Sequence, residues 1–353
     1  MAVTAAVSVV VVTGISRYLG AQVAARLAAD KRVGRVVGLD PNLPSAELAE
    51  LLGDVEHIPV DAASAGSVLA ELDAECVVHL ALVTAPEQQG GRGAMKEQNV
   101  IGTMQLLAAC QQAPRLRKLV MRSSTAAYGA SFRDPAVFTE DTEPRQVPRG
   151  GFARDILDVE GYLRGFRRRR PDVSATVLRF APFIGSTANT TITRYFAQPV
   201  VPTVFGRDPR LQFLHVDDAL EVLHRSVVED HPGTFNVAGA GVLTLSQAIR
   251  RAGRVAVPVL EPGLSAAAML AGGLRFGRYG LDQLDLFVHG RVVDTTRLIQ
   301  EYGFEPRTTE AAFDDFIRGH AGRRVVTPDH LAAAEQAILD GIRRVRAAAQ
   351  ESS

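Results

Sequence analysis

The apolar positions of the first 180 residues fall into two alternating patterns. Short, nearly continuous apolar runs suit strands buried on both faces, and Val7–Val12 predicts the first of them. Between such runs, apolar residues recur every three to four positions. Leu19, Val23 and Leu27 form one such stripe and predict a helix from about Leu19 to Ala29. Further strands are predicted at Arg35–Leu39, Val55–Val60, Val77–Leu80 and Leu116–Arg122, with a long helix over Met95–Cys110. Strands and helices in strict alternation build a parallel sheet covered on both faces, a Rossmann-type doubly wound α/β fold.

After residue 180 the rhythm changes, and Pro199, Pro202, Gly206 and Pro209 break up the pattern. Phe213–Val216 and Gly233–Val237 predict short strands that rejoin the sheet. The expected division is a Rossmann domain over 1–185, its sheet completed by 211–238. A smaller C-terminal α/β substrate lobe takes 186–210 and 239–325, and 326–353 form a C-terminal helix.

Charge narrows the function. Lys plus Arg (39) balance Asp plus Glu (39), so the chain lacks the basic footprint of a nucleic-acid binder. Cys76 and Cys110 sit in apolar stretches and make no ligand-like pair. Neither a disulfide scaffold nor a metal site is expected, and a reducing compartment fits. No apolar run is long enough for a transmembrane segment, and no basic region precedes the first apolar run. The expectation is a cytoplasmic protein. Arg167–Arg170 reads as a solvated basic helix end.

The candidate chemistry starts at Thr13-Gly14-Ile15-Ser16-Arg17-Tyr18-Leu19-Gly20, between the first strand and the first helix. There a pyrophosphate can approach the backbone: Gly14 allows the tight turn, Gly20 lets the helix pack closely, and the helix N-terminus offers free N–H groups. Asp40 follows at the end of the second strand, where a carboxylate can accept hydrogen bonds from ribose hydroxyls.

Other short segments occur in a specific order: Asp61, Val78-His79-Leu80-Ala81, Asn99-Val100-Ile101-Gly102-Thr103 and Ser123-Ser124-Thr125-Ala126-Ala127-Tyr128-Gly129. Leu178-Arg179 with Gly185, His215-Val216-Asp217-Asp218, Asn236-Val237, Val293-Asp294-Thr295 and Gly303-Phe304-Glu305-Pro306 complete the set. Over residues 7 to 320 the chain resembles the extended short-chain dehydrogenase/reductase family, the NAD-dependent epimerase/dehydratase group. The resemblance implies a two-lobed oxidoreductase or isomerase. NAD would lie along the large lobe, against Gly14, Ser16, Arg17, Tyr18, Leu19, Gly20, Asp40, Asp61, Leu80, Ala81 and Asn99. A small-molecule substrate, often a nucleotide sugar, would lie between the lobes. Ser124 matches the catalytic serine, whereas Tyr128 lines the pocket in the family. His79 is expected to pack near the cofactor and His215 to be structural. The helices from Met95 and Phe152 are where the family forms homodimers. The stripe Ile156, Val159, Leu163 permits a dimer or contact with the sheet.

Several positions depart from the pattern. The family's Tyr-x-x-x-Lys pair falls on Phe152 and Ile156. A phenyl ring cannot transfer a proton, and an isoleucine cannot lower a neighbour's pKa. Asp155, Asp158 or a water held by Ser124 are the substitute acid/base groups considered. Arg17 takes the middle glycine position of the turn. It can reach a phosphate, the 2′-phosphate of NADP, or Asp40 as an ion pair. Asp40 would repel a 2′-phosphate and favours NAD over NADP. Leu211 stands where sugar epimerases carry a UDP-binding arginine, with Arg210 beside it. The apolar stretch Ala266–Leu274, with Phe276 and Tyr279, reads as a core helix or as a wall for an apolar or lipid-linked substrate. Two functions follow: an NAD(P)-dependent oxidoreductase or epimerase with an altered acid/base, or a catalytically inactive NAD(P)-binding regulatory or scaffold protein.

Overall fold

The computed structural model describes residues 7–60, 64–86, 90–145, 147–148, 151–259, 281–320 and 336. The chain opens with β1 (Val7–Thr13), whose Val10, Val11 and Val12 are wholly buried, as a central parallel strand requires. α1 (Tyr18–Ala28) follows and buries Val23, Ala24 and Leu27 on one face of the sheet. The alternation continues through β2 (Val33–Leu39), α2 (Ala46–Leu52), β3 (Glu56–Ile58), α3 (Ala65–Glu71) and β4 (Cys76–His79). Next come α4 (Arg92–Lys96), a π-helical turn at Glu97–Ile101, α5 (Gly102–Gln112), β5 (Lys118–Ser124), a 3₁₀ turn at Thr125–Tyr128, α6 (Gly151–Arg169) and β6 (Ser174–Phe180).

Smaller elements then appear: β7 (Phe183–Ile184), α7 (Thr191–Ala197), β8 (Val200–Val204), β9 (Arg210–Leu211), β10 (Leu214–His215), α8 (Val216–Val228) and β11 (Gly233–Val237). β12 (Leu243–Thr244), α9 (Leu245–Arg251) and β13 (Val255–Val259) follow, then helices Leu281–His289, Thr296–Tyr302 and Thr309–Gly319. The central sheet has seven strands in the order β3-β2-β1-β4-β5-β6-β11, and every pair in it is parallel. Its order reverses between β1 and β4, so the strand ends there open a crevice.

One core packs α1 and α8 against the sheet. A second packs α3, α5 and α6 on the opposite face. A third, rich in Phe196, Phe213 and Phe313, holds the later elements together. The stripe Ile156, Val159, Leu163 lies in the second core and faces the sheet.

Three expectations need correction. Phe213–Val216 does not rejoin the central sheet: only Leu214–His215 is a strand, and it pairs with β7. The helix expected at Met95–Cys110 starts at Arg92 and is interrupted by the π turn. The run Arg167–Arg170 is only partly solvated. Arg170 donates to the carbonyls of Cys110, Gln111, Ala113 and Leu116, and Arg167 donates to those of Ala175 and Gly233. These guanidiniums satisfy chain-end carbonyls that would otherwise lack donors. Apart from residue 336, the predicted helix at 326–353 lies outside the described residues, as do the apolar stretch Ala266–Leu274 and Asp61.

Candidate functional site

The crevice at the strand ends is a cleft of about 1660 Å³. The turn after β1 forms one wall. Gly14 has φ +81°, and a Cβ there would stand 2.8 Å from the Cα of Ala81. A Cβ on Gly20 would stand 2.1 Å from the carbonyl oxygen of Gly14. Only glycines let the turn, α1 and the end of β4 approach this closely. α1 therefore starts at the edge of the cleft. Among the described residues, the N–H groups of Tyr18 and Leu19 meet no backbone acceptor.

Asp40, only 4% exposed, ends β2 beside this turn. Its Oδ2 accepts from the backbone N–H of Ser16 at 3.0 Å and from Ser16 Oγ at 2.7 Å, and its Oδ1 accepts from Asn42 N–H at 3.0 Å. The ion pair with Arg17 considered from the sequence is thus not how Asp40 is held, although the two charges attract. A smaller recess next to the main cleft is lined by Gly14, Arg17, Asp40, Asn42, Ala81 and Gln98.

His79 is buried and neutral. Its Nδ1 meets Thr13 Oγ1 at 2.8 Å and its Nε2 meets Thr103 Oγ1 at 2.9 Å, and burial pushes its pKa down to about 4. Leu80 is buried next to it. Asn99, carried by the π turn, clamps Val83 from both sides: Oδ1 accepts Val83 N–H at 2.7 Å and Nδ2 donates to Val83 O at 2.9 Å. Asn99 therefore shapes the segment after β4 from beneath.

Ser124, at the end of β5, lines the cleft, and its Oγ accepts the N–H of Ala126 at 3.1 Å. Phe152 lines it as well, from the start of α6. Ile156, one turn further on, is wholly buried in the second core. Tyr128 does not line the cleft, contrary to the resemblance. It is 1% exposed and stacks on Phe138, and its hydroxyl donates to Asn236 Oδ1 at 2.7 Å and accepts from Arg179 Nη1 at 2.9 Å. Burial raises its pKa. The substitute acids are also placed elsewhere. Asp155 is buried and paired with Arg92, and Asp158 pairs with Arg154 at 3.1 Å.

His215 is structural in geometry. Its Nδ1 receives the N–H of Asp217 and Nη1 of Arg307, at 3.2 and 2.7 Å, so Nε2 carries the proton toward Asp315 at 3.0 Å. This network ties β10 to helix Thr309–Gly319. Beneath Ser124, Ser123 Oγ donates to Glu160 at 2.5 Å. Glu160 takes both Nε and Nη2 of Arg179, at 2.9 and 2.6 Å.

Sequence reasoning missed three cleft arginines, Arg92, Arg122 and Arg291. Strand alternation held the signal for Arg122: it lies two residues before Ser124 on β5 and so shares its face.

The parallel sheet with its crossover at β1 and β4, and the glycine turn beside that crossover, define a Rossmann-type α/β protein. The chain belongs to the NAD dependent epimerase/dehydratase family, which matches residues 10–238. It is 43% identical over 323 residues to uncharacterized proteins of Mycobacterium tuberculosis and Mycobacterium bovis, covering 91% of this chain and 86% of theirs. Among solved structures it is similar to UDP-glucose 4-epimerase of Thermotoga maritima, with TM-score 0.68, 17% identity and coverage of 89% of this chain and 99% of that one. It is also similar to UDP-N-acetylglucosamine 4-epimerase of Methanobrevibacter ruminantium, with TM-score 0.67, 20% identity and coverage of 90% and 99%. A third is UDP-glucuronic acid 4-epimerase of Bacillus cereus, in complex with UDP-glucuronic acid and NAD, with TM-score 0.67, 15% identity and coverage of 89% and 99%. These three share the fold. No helix among the described residues is long and apolar enough to cross a membrane.

Proposed function

We propose that this chain binds NAD in the cleft and does not carry out the tyrosine–lysine proton transfer of its family. The observation that carries the first part is the bare backbone of the turn. Gly14 and Gly20 leave no room for a Cβ, and the amides of Tyr18 and Leu19 open at the cleft edge. Those amides and the helix dipole suit a diphosphate. Asp40 suits the adenosine ribose and, as an anion, disfavours a 2′-phosphate, so NAD is preferred to NADP. The solved UDP-glucuronic acid 4-epimerase holds NAD, which supports the same reading.

The reactive end differs. When bound, NAD supplies a hydride acceptor, but a hydroxyl substrate must also lose a proton. Phe152 has no group to take it, and Ile156 turns into the core with no charge to offer. None of the tyrosines of the chain is followed four residues later by a lysine. Ser124 remains, and its hydroxyl suits an oxygen of a ligand seated between the two lobes. That ligand is of the nucleotide-sugar class by similarity to the epimerases. The lobe built from 186–210 and 239–325 is the part of this reading that would enclose it.

Titration calorimetry with NAD, NADH, NADP and NADPH tests the binding. Saturable binding of NAD(H), tighter than of NADP(H), is expected, and no binding of any form overturns the reading. Absorbance at the reduced-nicotinamide band, followed with a panel of nucleotide sugars, tests the second part, and no change is expected. Turnover by the native protein would instead favour an enzyme with another proton acceptor. The placement of Ser124 in the cleft supports that second reading.

A further inference from the structure

Two guanidiniums meet at the floor of the cleft. Arg17 Nη1 lies 3.4 Å from the carbonyl oxygen of Leu82, and Arg122 Nη1 lies 3.2 Å from the same oxygen. The two nitrogens are therefore no further apart than the sum of these distances. Arg17 comes from the phosphate turn and Arg122 from β5, so the fold brings them together across the sheet. One flank of Arg122 is covered by the ring of Phe183, 5.7 Å from the guanidinium carbon. Among the described residues, no carboxylate lies within salt-bridge distance of Arg122. Asp40 attracts Arg17, but its hydrogen bonds go to Ser16 and Asn42. Burial and the charge of Arg17 push the pKa of Arg122 down to about 10, so Arg122 stays protonated at neutral pH.

Arg122 is a cation with no carboxylate partner among the described residues, so it feels the charge of a neighbouring ligand directly. Arg122 and Ser124 lie on one face of the same strand, about 7 Å apart along it. In the reading above, Ser124 faces the ligand at the reactive end, and the nicotinamide would lie against that ligand. An oxidised nicotinamide carries a positive charge on its ring, and the reduced ring carries none. The two forms are otherwise the same size and shape to within a hydrogen.

We propose that Arg122 makes this cleft a receptor for the reduced rather than the oxidised dinucleotide. The inference rests on the NAD-binding reading. Taking a guanidinium-to-ring separation of about 7 Å, one unit charge changes an affinity roughly threefold in water-like surroundings and roughly fiftyfold at an effective dielectric near 20. A partly buried guanidinium falls between those limits, so NADH is expected to bind about tenfold more tightly than NAD.

The test is calorimetry of NADH, NAD and ADP-ribose with the native protein, Arg122→Met and Arg122→Lys. ADP-ribose has no nicotinamide and reports the diphosphate and adenosine contacts alone. The expected result is a preference for NADH in the native protein that Arg122→Lys retains and Arg122→Met reduces several-fold. The same preference should shrink as salt screens the charge of Arg122. That salt series keeps the test open if Arg122→Met does not fold. NAD binding as tightly as NADH overturns the inference, as does a ratio unchanged in a folded Arg122→Met protein. Either result leaves the NAD-binding reading standing. Failure of all three ligands to bind overturns that reading and this inference together.

Discussion

Arg92 and Asp155 form a two-pronged ion pair across the entrance to α6, with Nη1 2.7 Å from Oδ2 and Nη2 2.5 Å from Oδ1. Asp155 is fully buried, whereas the Arg92 side chain is 37% exposed. The pair fixes the start of α6 because Arg92 Nη2 also donates to Gly151 O at 3.0 Å, and Asn99 Nδ2 reaches Asp155 Oδ2 at 3.2 Å. Removing one partner leaves a buried charge alone. Arg92→Met is expected to cost about 2–3 kcal/mol, less than a fully buried pair because water reaches the arginine. Adding Asp155→Asn should recover part of the loss. Urea unfolding of the single and double variants measures both.

The glycine turn gives a second expectation. Gly20→Ala puts a Cβ against the Gly14 carbonyl and must push α1 away from β1. A loss of about 3 kcal/mol is expected, together with loss of dinucleotide binding. Gly53→Ala is a useful contrast: a Cβ there meets nothing within 4 Å and only the positive φ of 55° opposes it. It should cost about 1 kcal/mol and leave binding unchanged.

Placing Tyr and Lys at 152 and 156 tests the proposed correspondence of these positions to the family's pair. Phe152→Tyr places a hydroxyl at the cleft and should change stability by less than about 1 kcal/mol. Ile156→Lys puts an ammonium into a wholly apolar core and should cost about 3 kcal/mol or more. Thermal unfolding of the two variants ranks them. The reverse order would mean that position 156 can turn toward the cleft.

His79 makes stability depend on pH. Its folded pKa of about 4 lies below the unfolded value of about 6.5. Above pH 6.5 both states are neutral and nothing changes. Between pH 6.5 and 4 the unfolded chain binds a proton that the folded one does not, so stability falls as pH falls. The loss due to this residue should reach about 2 kcal/mol by pH 5. Denaturation at pH 7.5 and pH 5, for the native protein and His79→Gln, isolates it: the slope should flatten in the variant.

The sheet was legible because each central strand is a short apolar run and each helix has a stripe, so β1, β2, β4 and β5 fall within two residues of their predicted bounds. The glycine turn was legible because chain geometry forces those residue types there. Other features depend on partners distant in sequence. Tyr128 is drawn inward by Arg179, Asn236 and Phe138, none of them its neighbour in the chain. Asp155 is claimed by Arg92, 63 residues away. Arg170 looked solvated because a run of four arginines suits a helix end, yet four carbonyls from 110 to 116 draw its guanidinium in. Local pattern reports which face a residue occupies, not which distant group will meet it.

The π turn at Glu97–Ile101 has an architectural consequence. A π turn amounts to one surplus residue in an otherwise regular helix, tolerated at the expense of helical geometry. Deleting that residue would restore the regular ladder and swing everything before it around the axis by about 100°. Asn99 would then lose its grip on Val83, and the strand end it holds would be free to sag into the groove. The irregularity works as a spacer that aims one amide, so a more regular helix here would give a less well-formed cleft.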